Sequence, residues 1–275
     1  MFDNLLIWVR GAGEVGSAAA HVLKNTGFRV ILSELTEPLA IRRTVTFSDA
    51  IYDMRSEVEG IKAEFCGLKM VEHVLTSNQI PLLMDDANTL LSLKPDIVID
   101  ARMLKRNNAG FKHFAPFTIG LGTGFTASED CHAVIETMRG HDLGRIIWEG
   151  RALADTGVPA ELGGESNRRV IYSASAGKAV WDAGFGETVM SGDIIGRMDD
   201  GTKISAQING MVRGLISPQS TFGKNVKIAD IDPRGKEVDY LGISDKSRSI
   251  GRGVLEAVLV YLREQRKPST LLNTL

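Results

Sequence analysis

The chain has 275 residues, of which 43% are hydrophobic and 24% are charged, and its formal net charge is −2 at pH 7. These values are typical of a globular protein and exclude the collagen-like, disordered and disulfide-scaffold classes. The balanced charge gives no electrostatic reason to expect nucleic acid or a membrane surface as a partner. Two cysteines and apolar runs too short to cross a membrane predict a cytoplasmic protein. Glycine stands out with 29 residues.

The first 35 residues predict a strand, a helix and a second strand. Residues 5–9 are continuously apolar, as in a strand that is covered on both faces. Helical spacing follows over residues 14–26, and residues 28–32 form the next apolar run. Later apolar segments flank a short helical pattern, which predicts a parallel sheet with right-handed crossovers that ends near Arg102.

A GxGxxG sequence lies between the first predicted strand and the first predicted helix. It consists of Gly11, Ala12, Gly13, Glu14, Val15 and Gly16. In this context glycine permits a tight turn, lets a pyrophosphate approach the backbone and lets the helix pack closely on the strand. Glu34 closes the second strand, where an acidic side chain would bind ribose hydroxyls. The motif predicts binding of NAD(P) or another adenine nucleotide; the alternative is a turn kept only for packing.

Charged side chains accompany this turn. Arg10 directly precedes it, and Arg42 with Arg43 follows Glu34 closely, so this arginine pair either holds a phosphate or another anion or is simply solvated. Asp100 and Arg102, at the end of a predicted strand, either face the crevice where α/β sheets bind ligands or form an ion pair there.

The central region contains a second glycine-rich turn and a group of reactive side chains. Gly120, Gly122 and Gly124 follow a short strand, and they form either an anion-binding nest or a tight loop. Residues 132–136 and 145–148 are predicted to pair as a hairpin.

Cys131, His132 and His141 are the candidate catalytic residues. Cys131 is either a nucleophile or soft-metal ligand, or a buried and inert thiol. If this segment is extended, Cys131 and His132 would not converge, because neighbouring residues on a strand face opposite ways. No Cys/His pairs have zinc-ligand spacing, so we predict no metal site. These residues do not decide whether the chain is an enzyme.

The third region contains an internal repeat, residues 170–199 and 203–232, which predicts a small β domain with pseudo-two-fold symmetry. A helix is predicted over residues 249–266, followed by a frayed tail at 267–275. We therefore expect an α/β plus β fold with these units: a nucleotide-binding domain at 1–104, a central α+β segment at 105–167, the β domain at 168–235, and a C-terminal helix and tail at 236–275.

Several ordered motifs resemble those of the selenium-dependent molybdenum hydroxylase system protein family. They are GAGEVGS, SELTEPLAIRRTV, TIGLGTGF, EDCHAVIETMRGHDLGRIIWEG, DIDPRG and ISDKSRSIGRGVLEAV. The resemblance implies a Rossmann-type N-terminal domain and an accessory role in preparing the molybdenum–selenium centre of a client hydroxylase. It carries over no catalytic residue. On this hypothesis the ligand, a nucleotide or dinucleotide, lies between the Gly11 and Gly120 turns.

The repeat separately resembles the barrel-sandwich hybrid fold of biotinyl and lipoyl domains. The resemblance rests on Gly192 with Asp193 and on Asn209 with Gly210. Lys203 lies near the connection between the two repeats, where biotinyl domains carry a modified lysine between two methionines. Lys203 lacks these flanking methionines, so we interpret it as a turn residue. Two other functions remain open: a stand-alone NAD(P)- or FAD-dependent oxidoreductase, and a non-catalytic docking or regulatory module.

Overall fold

The computed structural model describes residue 2, residues 4–105 and residues 110–265. The strands are β1 (Leu6–Arg10), β2 (Arg29–Glu34), β3 (Arg55–Val58), β4 (Ile61–Phe65), β5 (Ile80–Met84), β6 (Ile97–Asp100), β7 (Phe117–Leu121), β8 (Thr126–Ala127), β9 (Ala133–Ile135), β10 (Ile146–Ile147), β11 (Gly150–Arg151), β12 (Val170–Tyr172), β13 (Ala179–Trp181), β14 (Thr188–Val189), β15 (Ile194–Met198), β16 (Lys203–Ser205), β17 (Gly210–Leu215) and β18 (Lys227–Asp232). The α-helices are α1 (Glu14–Asn25), α2 (Ala50–Asp53), α3 (Val71–Thr76), α4 (Ala87–Leu91) and α5 (Asp245–Gln265). Short 3₁₀ turns occur at Arg43–Val45, Leu68–Met70, Lys112–Phe114 and Gly235–Glu237. None of the described helices is both long enough and apolar enough to span a bilayer.

Nine strands of the described chain form one large mixed sheet in the order β10-β9-β7-β6-β1-β2-β5-β4-β3. The strands from β4 to β9 in this order run parallel, and β3 and β10 are antiparallel edge strands. Strands β2 to β5 lie on one side of β1, and strands β6, β7, β9 and β10 lie on the other side. The strand order therefore reverses between β1 and β6, and it is at the carboxyl ends of strands at such a point that open α/β sheets bind ligands.

The sheet extends further than the sequence indicated. The expectation that it ends near Arg102 is wrong, because β7 and β9 continue it in parallel beyond β6. The predicted hairpin of residues 132–136 and 145–148 is confirmed by β9 and β10, although β9 also belongs to the large sheet. The β3–β4 hairpin was not anticipated, since its strands are short and largely polar.

Helices cover both faces of the large sheet, which explains its continuous apolar runs. Ile7 and Val9 face α1 and α5, whereas Trp8 faces the side of α3 and α4. Gly251 brings α5 so close to α1 that a Cβ there would lie 2.9 Å from the carbonyl oxygen of Ala18. The C-terminal helix begins at Asp245, earlier than predicted, while its expected end at residue 266 and the tail at 267–275 lie outside the described residues.

Residues 170–232 form a second unit, here called the β unit, made of two antiparallel sheets. Their strand orders are β12-β18-β17-β14 and β13-β15-β16, and they enclose a separate hydrophobic core. A loop of the first unit, residues 35–49, enters this core through Ile41, whose carbonyl accepts the N–H of Leu215 at 2.9 Å. The chain is thus a mixed α/β protein whose large sheet and β unit are joined by packing as well as by sequence.

Candidate functional site

The Gly11–Gly16 turn connects β1 to α1 at the point where the strand order reverses. Gly11 has φ +94°, and a Cβ at this position would lie 3.2 Å from the backbone of Ala101 at the end of β6. A Cβ on Gly16 would lie 1.9 Å from the carbonyl oxygen of Gly11. Both glycines are therefore required by the close approach of turn, helix and strand.

Gly13 differs from these two glycines because it faces open space. A Cβ at Gly13 would meet no described atom within 4 Å, and its backbone is extended at φ −68°. No side chain of the described residues caps α1. The first N–H groups of a helix lack intrahelical partners and carry partial positive charge, so this end of α1 suits an anion.

Glu34 holds the turn in place from the end of β2. Its Oε2 accepts the N–H of Ala12 at 2.8 Å, and its Oε1 accepts the N–H of Leu35 at 2.8 Å. Burial raises the pKa of Glu34 above its ordinary value, with backbone hydrogen bonds opposing the shift. A carboxylate offers about four lone-pair sites, so Glu34 retains acceptor capacity for a hydroxyl of a bound ligand.

A buried polar network joins the ends of β1, β2 and β5. The Arg10 guanidinium donates to both oxygens of Asp85, with Nε–Oδ1 at 3.1 Å and Nη2–Oδ2 at 2.9 Å. Ser33 donates to Asp85 at 2.8 Å and accepts the indole N–H of Trp8 at 2.9 Å. Burial would raise the pKa of Asp85, but the hydrogen bonds from Arg10 and Ser33 hold it below the ordinary value. Arg10 is thus a paired residue on the face opposite α1.

Asp100 and Arg102 form the ion pair that was one of the two sequence interpretations, and they lie beside the Gly11 turn where the strand order reverses. Arg102 donates from Nη2 to Asp100 at 2.6 Å and from Nε at 3.0 Å. Asp100 is fully buried, while the Arg102 side chain is about one-third exposed beside the Gly11 turn. A bidentate pair uses only part of the five N–H donors of an arginine, so Arg102 keeps donors for a ligand.

Arg42 and Arg43 have different environments although they are adjacent. Arg43 lies against Asp49, with Nε 2.7 Å from Oδ2. Arg42 is only 5% exposed, and its Nε has no hydrogen-bond partner among the described residues. Its Nη2 donates to the carbonyl of Gly242 at 3.3 Å, and its Nη1 lies 3.6 Å from Glu14, the first residue of α1. Burial lowers the pKa of Arg42.

The second glycine-rich turn lies at the same edge, because Gly120 is in register with Asp100 on the neighbouring strand. Its glycines are accounted for by close packing. An added Cβ would lie 2.5 Å from the Phe125 ring at Gly120, 2.8 Å from Thr137 Oγ1 at Gly122, and 2.3 Å from the Leu104 carbonyl oxygen at Gly124. The structure supplies no observation that favours an anion-binding nest here.

The three candidate catalytic residues do not converge. Cys131 is buried, and its thiol donates to the carbonyl of Ala133 at 3.2 Å. Burial raises the pKa of Cys131 to about 12, so the thiol is protonated at neutral pH. His132 pairs with Thr118, whose N–H donates to Nδ1 at 3.1 Å, and burial lowers the pKa of His132. His141 is exposed on the loop between β9 and β10.

Two further residues bear on the sequence predictions. Lys203 is exposed at the start of β16, beside the turn that joins β15 to β16. Asp85 was not among the site residues predicted from the sequence. A charged residue directly after the apolar run of β5 is the signal that points to it. Within the described ranges, no group of three or more His, Cys, Asp or Glu side chains could hold a metal ion.

Comparisons with known proteins return one curated relative, and no family model matches the chain. The relative is an uncharacterized protein of Escherichia coli K12, YqeB, with 42% identity over 261 residues. The match covers 94% of this chain but 48% of the relative, so the chain spans about half the length of the curated relative it matches.

Several solved structures also match, at low similarity. The product-bound ectoine utilization protein EutE from Ruegeria pomeroyi is 12% identical, with a TM-score of 0.29 over 84% of this chain and 86% of that chain. A succinylglutamate desuccinylase from Silicibacter is 13% identical, with a TM-score of 0.25 over 84% and 85% of the two chains. Similarity at this level transfers no activity to this chain.

These findings correct the family and function inferred from sequence motifs. No family model matches the chain, and the relative has no described activity. Membership of the selenium-dependent molybdenum hydroxylase system family is therefore wrong, and so is the accessory role inferred from it. The stand-alone oxidoreductase and the docking module find no support either. Within these motifs, packing accounts for Gly11, Gly16, Gly120, Gly122 and Gly124, and Asp230 of DIDPRG belongs to buried ion pairs.

Proposed function

We propose that this chain binds a phosphate-bearing small molecule at the carboxyl edge of its large sheet, with the phosphate on the N-terminus of α1. The observation that carries this proposal is the contrast among the three turn glycines. Gly11 and Gly16 are needed for packing, but Gly13 opens onto empty space beside an uncapped helix end. Glycine at such a position lets a phosphate approach the backbone N–H groups.

The strand arrangement supports the same location. Ligands of open α/β sheets bind where the strand order reverses, and that point lies between β1 and β6, directly beside the turn. As part of the proposal, the parallel strands are of the Rossmann type and the β unit is of the barrel-sandwich type. The second assignment is supported by the internal repeat of the sequence and by the two facing sheets around one core.

Glu34 and Arg102 supply the remaining polar contacts of the proposed site. Glu34 lies at the end of β2, on the side where its free lone pairs accept from a ligand hydroxyl. Arg102 lies on the β6 side, where its free donors pair with a phosphate oxygen. NAD(P) and other adenine nucleotides are members of this ligand class, because each carries phosphate and a ribose diol.

Gly13→Val tests this proposal directly. The protein itself has room for the new side chain, so the fold is retained, but the valine occupies the space assigned to the phosphate. We expect at least about a 10-fold loss of affinity, roughly the loss of one charge-assisted contact. The measurement is calorimetric titration of wild type and variant with inorganic phosphate, pyrophosphate, AMP, ATP, NAD and NADP.

Gly67→Val is the matched control. Gly67 is also an extended glycine at the start of a helical turn, with φ −85° and no described atom within 4 Å of an added Cβ. It lies beyond β4, three strands from β1, so this variant should titrate like wild type. The proposal fails if no member of the panel binds wild type, or if Gly13→Val binds every member as well as Gly67→Val does.

A further inference from the structure

The outer face of the C-terminal helix α5 carries a row of three leucines. Leu255, Leu259 and Leu262 lie at i, i+4 and i+7, a spacing that puts them on one side of a helix. Leu255 and Leu262 are half-buried against the core of the large sheet, whereas Leu259 is 42% exposed and packs in none of the described hydrophobic cores. The apolar row therefore continues from the core onto the surface. It borders a shallow groove of about 300 Å³, which is lined by Arg252, Leu255, Glu256, Leu259, Val260 and Arg263.

Two charged side chains flank the leucine row at equivalent positions. Glu256 directly follows Leu255, and Arg263 directly follows Leu262, seven residues further along the helix. Both side chains are exposed, and neither makes an ion pair with any residue that the structure describes. Within one helix they lie two turns apart, roughly 10 Å along the axis, so they do not reach each other. The outer face of α5 thus presents one unpaired negative charge and one unpaired positive charge beside an apolar row.

We infer that the outer face of α5 is an interface between two copies of this chain, with the two α5 helices antiparallel across a two-fold axis. When the axis passes between Leu259 and Val260, midway between the two charges, Glu256 of each copy faces Arg263 of the other. The same placement packs the two leucine rows on each other. Charged residues that flank an apolar helix seam set the partner and its orientation in this way, and a two-fold interface uses the same patch on both copies.

Other arrangements of the two helices satisfy these residues less well. A parallel pair brings each charge to the level of its own copy, where it meets no opposite charge. An antiparallel pair with its axis at residue 254 joins Glu256 to Arg252, but it sets Leu259 opposite the polar Ser249. Only the axis between Leu259 and Val260 covers the exposed leucine and pairs both charges.

The interface is separate from the proposed ligand site. Tyr261 in the same half of α5 stacks on Phe117 with ring centroids 4.4 Å apart, and Phe117 is the first residue of β7. This half of the helix therefore lies at the amino edge of the sheet, opposite the edge that carries the Gly11–Gly16 turn. Association of two copies is consequently measured without any ligand, and its outcome does not depend on the proposed function.

Sedimentation velocity of the full chain at increasing concentrations tests the interface. Wild type should associate reversibly into a dimer. Glu256→Arg and Arg263→Glu should each weaken the dimer at least about 10-fold, because each variant replaces two attractive contacts by two repulsive ones. The double variant Glu256→Arg with Arg263→Glu should restore the wild-type dissociation constant, because the exchanged charges face each other again across the same axis.

Glu264→Arg is the matched control for these charge reversals. Glu264 is an exposed residue of the same helix, but it comes two residues after Leu262 and so lies on the other side of the helix from the leucine row. This variant should dimerise like wild type. A monomer at every concentration overturns the inference and leaves the outer face of α5 to a different partner. A dimer that both single variants leave intact, or that the double variant does not restore, places the contact elsewhere and overturns the inference as well.

Discussion

At the scale of single residues, the buried charges of this protein fall into two groups. Arg10 and Asp85 satisfy each other with two hydrogen bonds, and Ser33 takes part of the remaining capacity of the carboxylate. Such a pair is costly to break, because removing one partner leaves a desolvated charge. Arg42 has weaker partners: its Nη2 donates to the Gly242 carbonyl at 3.3 Å, its Nη1 lies 3.6 Å from Glu14, and its Nε has no hydrogen-bond partner among the described residues.

The environment of Cys131 predicts an unreactive thiol. With a pKa raised to about 12 by burial, roughly one thiol in 10,000 is ionised at pH 8, and the thiolate is the reactive form. In a Cys66→Ser variant, we expect Ellman's reagent to label the folded protein very slowly at pH 8 and rapidly in guanidinium chloride. A Cys131→Ser variant provides the control, because it reports half-buried Cys66 alone. Fast labelling of Cys131 in the folded protein would show that it is accessible and ionisable.

At the scale of elements, one carboxylate ties three strands of the four-stranded sheet together. Asp230 on β18 pairs with Arg213 on β17 and with Arg169, which directly precedes β12. All three residues are buried. Burial would raise the pKa of Asp230, but the charges of Lys227, Arg213 and Arg169 hold it below the ordinary value of 3.8. Asp230 is therefore ionised wherever the protein is folded near neutral pH.

Asp230→Asn should destabilise the protein strongly. The substitution leaves two buried arginines without their shared anion, a situation that typically costs about 3–5 kcal/mol. Because the folded-state pKa is lowered, the stabilisation is present above pH 3.8 and disappears as the pH falls through the folded-state pKa. The difference in free energy of unfolding between wild type and variant, measured by urea denaturation, should be constant near neutral pH and shrink in acid.

Asp182→Asn gives the comparison for this effect. Asp182 faces Arg197 at 3.4 Å, but both side chains are largely exposed, so the change should cost less than about 1 kcal/mol. Equal losses of stability in the two variants would show that burial of the Asp230 network does not matter.

At the scale of the whole molecule, the loop 35–49 joins the core of the β unit to the core on one face of the large sheet, through Ile41 and Phe47. Ile41 belongs by sequence to the first unit, yet it packs among the residues of the β unit core. Further contacts follow the same loop, including Ser220 Oγ donating to the Pro38 carbonyl at 2.7 Å and Thr44 Oγ1 donating to the Tyr240 carbonyl at 2.7 Å. These contacts hold the loop 35–49 against the β unit and against the segment that follows it.

Ile41→Ala should therefore weaken the β unit although residue 41 lies far from it in sequence. Removing a buried isoleucine side chain typically costs about 2–5 kcal/mol. Hydrogen exchange should show lost protection in β13–β18, while β1 and β2 keep theirs. Leu39→Ala is the control, because Leu39 is exposed and its truncation should change stability by less than about 0.5 kcal/mol. Unchanged protection of the β unit in Ile41→Ala would mean that the loop does not support that core.

The features predictable from the sequence were those encoded over short distances. The strand–turn–helix around Gly11, the hairpin of β9 and β10, and the position of Glu34 all follow from spacing within about 25 residues. The extent of the sheet did not follow, because β7 and β9 join it through pairing between distant segments. The inferred family also went wrong, since matching motifs show which local structures recur and not what the molecule binds.

By itself, the sequence determined that a glycine turn opens the first helix, that Glu34 ends the second strand and that a β repeat follows. Backbone sterics and hydrophobic periodicity act locally, so they are readable in one dimension. Only the tertiary structure decided which of the glycines face open space, which arginines are paired and which elements meet where the strand order reverses. Those properties depend on residues brought together from distant parts of the chain, as with Arg42 and Gly242 or Gly16 and Ala101. Among the three glycines of the Gly11–Gly16 turn, packing requires Gly11 and Gly16 and leaves Gly13 free.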